Sequence, residues 1–343
     1  MKQQLMTSAG HMELKDVPVP EPGRDEVRIR VGRIGICGSD IHVWHGKHPF
    51  TPFPVVQGHE FCGHIDAVGY DVTDIEIGKL VTAMPQIVCG ECPSCKKGQF
   101  NICENLKVRG FQADGCGQDF FVTKADRIVP LPDDFSLDQG AFMEPVAVAV
   151  HAVSRLGNVE GTNIVITGAG PIGNLIAQVA INQGANVLLT DINDLRLERA
   201  NACGISNTAN TMKEPLVQAA QRVFGEGGYS LAVEAAGVRQ TIADLVPSIN
   251  KGGTILIVGV YGDMPPVDLA RVGEHELLVK GSMMYWMDDW ITARDLLHDG
   301  ITLAPLIDGM YPLEKWGDAY AEIDRNQQNI MKLMVDVNAG GAH

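Results

Sequence analysis

With 343 residues, the chain is too long for a single ordinary hydrophobic core, and its length predicts two domains. Lys and Arg total 27 against 42 Asp and Glu, and the formal charge of −15 argues against nucleic acid or an anionic membrane as a partner. The first residues carry no signal-peptide-like apolar run, and no later segment is apolar over the roughly 18 residues of a membrane span. We therefore expect a cytoplasmic protein whose eight cysteines are metal ligands or buried thiols rather than disulfides.

The predicted elements change in character at about residue 146. Before it, short strands such as 26–31 are separated by Gly and Pro. After it, apolar strands alternate with helices, which is typical of a doubly wound parallel sheet. The predicted strands are 164–167, 186–190, 229–234 and 254–260, and the predicted helices are 171–183 and 194–203. From about residue 285 the chain contains an amphipathic stretch, 290–298, and a last strand, 331–337.

Two short motifs in the first region, GICGSDIH and GHE, contain possible metal ligands. Together with an acid further on, the candidates are Cys37, His59, Glu60 and Glu144. Thiolate, imidazole and carboxylate suit a zinc ion that keeps one position open for a substrate. Asp40 is placed to orient the other imidazole nitrogen of His59, Ser39 to take the proton of an alcohol, and His42 to pass it to solvent. Each of these residues alone is as readily structural, so the hypothesis requires that they meet.

Four more cysteines follow with the spacing C-x2-C-x2-C-x7-C. They are Cys89, Cys92, Cys95 and Cys103. Four thiolates this close can surround one tetrahedral zinc ion in a closed site that stabilises the fold and leaves no place for a substrate. An iron–sulfur cluster is the alternative, but nothing else in the sequence indicates electron transfer. Four unrelated buried thiols fit less well, because the segment is polar.

The strand at 164–167 runs into a glycine-rich turn, Gly168-Ala169-Gly170-Pro171-Ile172-Gly173, which matches G-x-G-x-x-G. Gly168 permits the tight turn, Gly170 lets the backbone approach a pyrophosphate, and Gly173 lets the helix pack closely on the strand. The following helix presents its N-terminus to the phosphates. The alternative is a glycine turn in an α/β domain that binds no nucleotide.

An acid at the end of the next strand, Asp191, indicates which dinucleotide is bound. It lies where a carboxylate accepts hydrogen bonds from the adenosine ribose and would repel a 2′-phosphate, so we expect NAD rather than NADP. Arg196 leaves this preference open, because an arginine nearby can hold the phosphate.

These motifs, in this order and over nearly the whole chain, resemble the zinc-containing medium-chain dehydrogenases. The resemblance implies an α/β fold: a GroES-like β-rich catalytic domain interrupted by a Rossmann doubly wound parallel-sheet domain, with the active site in the cleft between them. The expected parts are 1–147 with both zinc sites, 148–284 for NAD, and 285–343 returning to the catalytic domain. The family forms homodimers and homotetramers, between which the sequence does not decide.

The resemblance also implies roles for individual residues. Cys37 and His59 become ligands of a catalytic zinc, and either Glu60 or Glu144 becomes the third. Glu144 falls where liver-type alcohol dehydrogenases place a cysteine, which points to the polyol, butanediol and threonine dehydrogenase side. The cysteine cluster becomes the structural zinc site. The segments expected to border the nicotinamide include Ala236, Val258, Gly259 and Val260.

The implied reaction is oxidation of a secondary alcohol, in a sugar alcohol, sugar acid or vicinal diol, to a ketone. The loop after the first motif is similar to that of members acting on sugar acids, so His45, Lys47 and His48 are candidates to meet a carboxylate. The stretch 283–286 either lines the substrate pocket or lies in an interface. Threonine 3-dehydrogenase activity is the rival reaction, and a non-catalytic NAD-binding or structural protein is the alternative of another class.

Overall fold

The computed structural model describes residues 1–339, which divide into two units. Within that range, the first unit comprises 1–144 and 307–339, and the second comprises 145–306. The sequence-based boundaries at 147 and 284 differ from these divisions. Residues 285–306 belong to the second unit because Thr302 there exchanges two backbone hydrogen bonds with the Gln178 side chain.

The first part of the first unit is rich in short strands, as expected. Its elements are β1 (Lys2–Ser8), β2 (His11–Asp16), β3 (Glu26–Gly35), α1 (Gly38–Trp44), β4 (Glu60–Val68), β5 (Leu80–Ala83), β6 (Gln86–Ile87), β7 (Lys107–Val108), β8 (Phe120–Lys124), β9 (Ile128–Pro130) and α2 (Leu137–Ala141). The hairpin of β1 and β2 and the short pair β6–β7 stand apart from the main sheet.

The second unit alternates strands and helices. Its elements are α3 (Met143–Leu156), which begins at the junction, β10 (Asn163–Thr167), α4 (Pro171–Asn182), β11 (Asn186–Asp191), α5 (Asp194–Ala202), β12 (Thr208–Asn210), α6 (Leu216–Phe224), β13 (Leu231–Glu234), α7 (Arg239–Ser248), β14 (Thr254–Ile257), α8 (Leu269–Glu274), β15 (Leu278–Gly281) and α9 (Met287–Asp299). The strands lie in the order β12-β11-β10-β13-β14-β15, and every adjacent pair is parallel.

The chain returns to the first unit with β16 (Ile307–Pro312), α10 (Trp316–Asn326) and β17 (Lys332–Asp336). The main sheet of this unit has the order β16-β17-β3-β4-β5-β9, with β8 also paired to β3. Strand β3 shows why this sheet forms: Val27, Ile29 and Val31 are fully buried, whereas Arg30 between them is exposed. Such alternation places one face of the strand in a core.

The strands of the second unit follow the other pattern. Ile164, Val165 and Ile166 are all fully buried, because helices cover both faces of a parallel sheet. The expected α/β class, with a β-rich part and a doubly wound parallel sheet, is therefore confirmed. Among the helices of residues 1–339, none is long and apolar enough to cross a membrane.

One predicted strand is shorter than expected. The sequence predicted 254–260, but β14 ends at Ile257. The backbone N–H groups of Val258 and Gly259 both donate to the carbonyl oxygen of Glu234, at 2.9 Å each, so the chain turns there instead of continuing the ladder. The last residues of an apolar run thus form a loop at the sheet edge where ligands of such folds bind.

The glycine turn depends on one close approach. Gly168 has φ +98°, which favours glycine, and a Cβ added to Gly173 would overlap the carbonyl oxygen of Gly168. At Gly170, an added Cβ would have no protein atom within 4 Å. The first and last motif glycines are therefore required by the protein itself, whereas the middle one leaves space open.

We expect Gly173→Ala to lower the free energy of unfolding by about 1–3 kcal/mol, because overlap with a fixed backbone oxygen outweighs the roughly 1 kcal/mol that alanine gains in a helix. Gly170→Ala is the matched control and should lose less than about 1 kcal/mol, since only helix capping changes. Urea denaturation of both variants measures the difference. Equal losses would show that the close approach does not matter.

Candidate functional site

The four clustered cysteines converge on one point. Cys89, Cys92, Cys95 and Cys103 each offer a sulfur, and these atoms all lie within 4.8 Å of one another. The sulfur of Cys89 is 3.5 Å from that of Cys103 and 4.0 Å from that of Cys95. Four sulfurs about 2.3 Å from one tetrahedral zinc would be about 3.8 Å apart, so the cluster fits that ion. The distances are far too long for disulfides, and these cysteines are free thiols.

Backbone amides prepare the sulfurs of this cluster for a cation. The N–H groups of Cys92 and Cys95 each donate to the preceding cluster sulfur at 3.4 Å. The bond from the Cys95 amide, followed by one from Glu104, lowers the pKa of Cys92 to about 6. Burial and the neighbouring sulfurs raise the pKa of Cys95 to about 12. Four thiolates together therefore require a bound metal ion to offset their mutual repulsion.

The second group of candidate ligands also converges. Cys37 immediately precedes α1, and His59 and Glu60 lie at the start of β4. Their ligand atoms, one from each residue, all lie within 4.8 Å of one another. The strand pairing brings them together, because Gly35 at the end of β3 lies opposite Glu60. A Cβ at Gly35 would overlap the Glu60 carboxylate, so only a glycine at this position leaves space for that carboxylate.

Asp40 lies where it was expected, behind His59. It is fully buried, its Oδ2 accepts a hydrogen bond from the Cys37 backbone, and its Oδ1 is 3.5 Å from Nδ1 of His59. Burial alone would lower the pKa of His59, but Asp40 and the Cys37 sulfur raise it well above the ordinary value. An imidazole held by a carboxylate on one nitrogen presents its other nitrogen to a cation. The donor set therefore fits a zinc ion.

Sequence reasoning missed the residue that holds Glu60. Lys332, on β17, places its Nζ 2.8 and 2.7 Å from the two oxygens of Glu60 and 3.1 Å from the carbonyl oxygen of Ile36. Both side chains are buried. Burial would lower the pKa of Lys332, but the carboxylate of Glu60 raises it, so the pair remains ionic. The available signal was a lone lysine at the start of the apolar strand KLMVD.

The residues of the expected proton path lie beside this cluster. Ser39, half-buried, donates its hydroxyl to the sulfur of Cys37 at 3.1 Å. His42 is exposed, and it stands three residues further along α1. Side chains three apart on a helix share a face, so Ser39 and His42 lie in line from the cluster to solvent.

Glu144 is buried, and its charge raises the pKa of Lys332, though less than Glu60 does.

The loop after α1 separates the three residues proposed for a carboxylate. Nε2 of His45 is 2.7 Å from Asp324, which also accepts a hydrogen bond from Trp44, so His45 faces α10. The ring of His48 lies 4.9 Å from that of Phe111, which in turn lies 5.0 Å from that of His59. Lys47 is exposed, and within residues 1–339 its ammonium group has no ion-pair partner. His48 thus lies on the side of the cluster, whereas His45 does not, and Lys47 is exposed to solvent.

In the second unit, the glycine turn opens α4 at the carboxyl end of β10. Gly170, Pro171 and Ile172 are partly exposed at the start of this helix, whereas Gly173 is buried. Asp191, at the end of β11, accepts hydrogen bonds from the N–H groups of Ala169 (2.7 Å) and Ile192 (2.7 Å). The acid therefore fixes the turn from one side.

Other residues expected near a dinucleotide lie at the same edge of the sheet. Arg196 Nη1 is 3.8 Å from Oδ2 of Asp191, which directs its charge to the carboxylate. Ala236 follows β13, and Val258, Gly259 and Val260 follow β14. Val260 is 82% exposed and so is available for contact. Parallel strands end at one edge, which is where open α/β sheets bind ligands.

Met283 is the exposed member of the stretch 283–286, at 52%, and Met284 and Trp286 are half-buried. Tyr285 in the same stretch is fully buried. A buried pair supports this turn: His151 Nδ1 lies 2.8 Å from an oxygen of Asp289, which also accepts the backbone N–H of Trp286. Tyr285 thus belongs to the core of the second unit.

Comparison with known families gives two matches. Residues 23–133 match the family described as "Alcohol dehydrogenase GroES-like domain" and residues 171–299 that described as "Zinc-binding dehydrogenase". A 2-dehydro-3-deoxy-L-galactonate 5-dehydrogenase of Pseudoalteromonas atlantica is 37% identical over 93% of each chain. An L-threonine 3-dehydrogenase of Legionella pneumophila is 31% identical over 90% of this chain and 92% of the relative. The crystal structure of galactitol-1-phosphate dehydrogenase from Escherichia coli is similar with a TM-score of 0.90 and 32% identity, over 98% of this chain and 100% of the other.

Replacing Lys332 by Met should lower the free energy of unfolding by about 3–5 kcal/mol, since it leaves the Glu60 carboxylate buried without its counter-charge. Adding Glu60→Gln should recover most of this loss, because no unpaired charge then remains. Urea denaturation of the single variant, the double variant and the unmodified protein measures both effects. All three proteins are first treated with the same chelator. If Lys332→Met alone were as stable as the unmodified protein, the ion pair would not hold the cluster.

Proposed function

Because the chain belongs to the zinc-binding alcohol dehydrogenase family, we propose that it oxidises a secondary alcohol of a sugar acid or sugar alcohol to a ketone, with NAD as the hydride acceptor. The observation that carries the proposal is the convergence of Cys37, His59 and Glu60 within 4.8 Å. Membership also confirms the expectation of an oxidoreductase that uses zinc and a nicotinamide dinucleotide. The alternative of a non-catalytic protein loses its support, since it required the catalytic ligands to be missing.

The proposed reaction assigns a role to each part of the cluster. A zinc ion held by Cys37, His59 and an acidic residue supplies Lewis-acid polarisation of the substrate hydroxyl, and NAD supplies the hydride acceptor. Asp40 keeps the imidazole of His59 oriented through its Nδ1. Lys332 offsets the charge of Glu60. Glu60 is the acid that would meet the ion, because its carboxylate lies within 4.8 Å of the other two ligand atoms, and Glu144 stays the alternative.

The proton of the substrate hydroxyl leaves along α1 in this proposal. Ser39 accepts it at its hydroxyl oxygen and releases its own hydroxyl proton toward His42, so that proton must leave its hydrogen bond to the Cys37 sulfur. His42, exposed on the same face of the helix, passes the proton to solvent. The remaining four cysteines take no part in these steps, because a closed four-sulfur site offers no position to a substrate.

We propose NAD rather than NADP on the placement of Asp191. Its carboxylate is fixed by backbone amides at the end of β11, and a 2′-phosphate would meet this negative group. Arg196 is directed to the same carboxylate, which leaves less of its charge for a phosphate.

The preference for an acidic substrate rests on the loop after α1. Lys47 is an exposed cation of this loop, and the ring of His48 packs against Phe111, which also packs against the ring of His59. A relative whose name states a sugar-acid substrate is 37% identical. Threonine is the second candidate substrate, because a threonine dehydrogenase is 31% identical.

The formation of NADH, followed by absorbance, tests the function on a panel of sugar acids, sugar alcohols, vicinal diols and threonine, each with NAD and with NADP. We expect activity with NAD on a sugar acid or sugar alcohol, and Cys37→Ser should abolish turnover while NADH still binds. Cys203→Ser, a buried cysteine of the second unit, is the matched control. Full activity of Cys37→Ser would contradict the assigned site, and activity on threonine alone would favour the second candidate.

Lys47→Met tests the preference for an acid. We expect KM for the best acidic substrate to rise about tenfold with kcat unchanged, because one charge-assisted contact contributes about 1.4 kcal/mol to binding. KM for a neutral sugar alcohol should stay the same. Lys15→Met, an exposed lysine of β2, serves as the control. An unchanged KM for the acidic substrate would dismiss the role of Lys47.

A further inference from the structure

Three loops of the second unit meet around the buried side chain of Glu234. This residue ends β13 and is fully buried. In the sheet it lies opposite Thr167, which precedes the glycine turn, and Ile257, which ends β14. The loops that follow these three strands are therefore neighbours, and the carboxylate of Glu234 lies among them.

One oxygen of this carboxylate shapes the loop that follows β13. Oε1 accepts hydrogen bonds from the N–H groups of Ala236 (3.0 Å) and Gly237 (2.9 Å) and from the hydroxyl of Thr241 (2.7 Å). The backbone carbonyl oxygen of Glu234 accepts hydrogen bonds from the N–H groups of Val258 and Gly259, the two residues that follow β14. A single residue thus anchors two loops at the ligand-binding edge.

The other oxygen has no partner. Within residues 1–339, Oε2 of Glu234 makes no hydrogen bond although it is buried, and neither does the buried hydroxyl of Tyr261. The two groups are neighbours, because Tyr261 packs against the core that contains Ala232 of β13, and Gly259, two residues before Tyr261, lies against Oε2 of Glu234. In keeping with this, burial and then the Glu234 carboxylate raise the pKa of Tyr261. A buried carboxylate oxygen and a buried hydroxyl without partners each cost free energy that one mutual hydrogen bond would recover.

The loops around Glu234 leave no room for side chains. A Cβ on Gly259 would lie 2.6 Å from Oε2 of Glu234, and one on Gly168 would lie 2.9 Å from the N atom of Ala236. Gly237, with φ +67°, packs against the backbone of Val260. A shift of any one of these loops therefore displaces the other two, because closely packed backbone leaves no free volume between them.

The sheet order separates the two halves of a dinucleotide. Such ligands lie across the point where the strand order reverses, here at β10, with β11 on one side and β13 on the other. Asp191 on β11 marks the adenosine side. The loops anchored by Glu234, after β13 and β14, therefore face the nicotinamide side.

We propose that Glu234 and Tyr261 form a positioning pair for the nicotinamide half of the cofactor, in which the Tyr261 hydroxyl donates to Oε2 of Glu234 when the dinucleotide binds. Neither residue is a catalytic residue. The bond draws the segment 258–261 onto the bound nicotinamide, while Oε1 keeps 235–237 fixed beneath it. This inference rests on the NAD binding proposed above and adds the residues that select for the complete dinucleotide.

The test compares NADH with ADP-ribose, which lacks the nicotinamide, by titration calorimetry on the purified full-length protein. In Tyr261→Phe we expect the Kd for NADH to rise about tenfold and that for ADP-ribose to change less than about threefold, since one charge-assisted hydrogen bond of the bound state is lost. Its thermal midpoint should not fall, because the lost hydroxyl has no partner in the free protein. A merely structural role would not separate the two ligands.

Glu234→Gln keeps an oxygen that accepts from the N–H groups of Ala236 and Gly237 but replaces the charged acceptor of Tyr261. It should therefore also raise the Kd for NADH more than the Kd for ADP-ribose. In the double variant Glu234→Gln/Tyr261→Phe the two losses should not add, as expected of two partners in one interaction. Tyr229→Phe is the matched control: its hydroxyl bonds Ser248, and the residue precedes β13 at the opposite end of the strand. Its Kd for NADH should be unchanged.

Two results would overturn this inference without touching the proposed NAD binding. In one, Tyr261→Phe binds NADH as tightly as the unmodified protein; in the other, its affinities for NADH and for ADP-ribose fall by the same factor. If the unmodified protein bound neither ligand, NAD binding itself would be refuted, and the inference with it.

Discussion

The buried ion pair between Glu60 and Lys332 is the interaction on which the first unit's site depends. It joins residues that are 272 positions apart, one at the start of β4 and the other at the start of β17. Lys332 also bonds the carbonyl oxygen of Ile36, next to Cys37. The same ammonium group thus fixes both segments that supply Cys37, His59 and Glu60. A buried pair of this kind contributes little net stability compared with apolar side chains, but losing one partner is expensive. Its value here lies in placing ligands.

Carboxylates organise the second unit in a different way. Asp191 ends β11 and Glu234 ends β13, the two strands that flank β10 in the sheet. Each carboxylate accepts hydrogen bonds from backbone N–H groups of the loops at this edge of the sheet. Backbone amides are hydrogen-bond donors to both, with Arg196 as an additional cation 3.8 Å from Asp191, so each carboxylate fixes the course of a loop. This explains why turns so rich in glycine keep one conformation: the acid supplies the fixed points that side chains would otherwise provide. Oε2 of Glu234 is the exception, and it has a hydroxyl beside it.

Local sequence was sufficient where the chemistry is local. The glycine turn, the acid after the second strand and the four cysteines within fifteen residues could each be read from spacing, because their partners are near in the chain. Contacts across the chain could not be read. In local sequence Lys332 resembles any other strand residue, no local pattern predicts the hairpin of β1 and β2 or the helix α10, and the apolar run 254–260 predicts a strand throughout. In that run the deciding factor is the carbonyl oxygen of Glu234, which captures two amides that a longer ladder would have used.

The negative charge of the protein does not oppose an acidic substrate. At physiological ionic strength exposed charges are screened over roughly 8 Å, so the sum of −15 over the whole surface has little influence at one loop. What a carboxylate meets there is set by the nearest groups. Of the candidates on this loop, His45 is directed to Asp324, which leaves Lys47 in solvent and His48 against Phe111. The ring of Phe111 also packs against that of His59, so an apolar ring lies next to both His48 and the cluster of Cys37, His59 and Glu60. The proposed polyhydroxylated acid would fit this arrangement, because its carboxylate and the hydroxyl to be oxidised are separated by carbon atoms that can lie along such a ring.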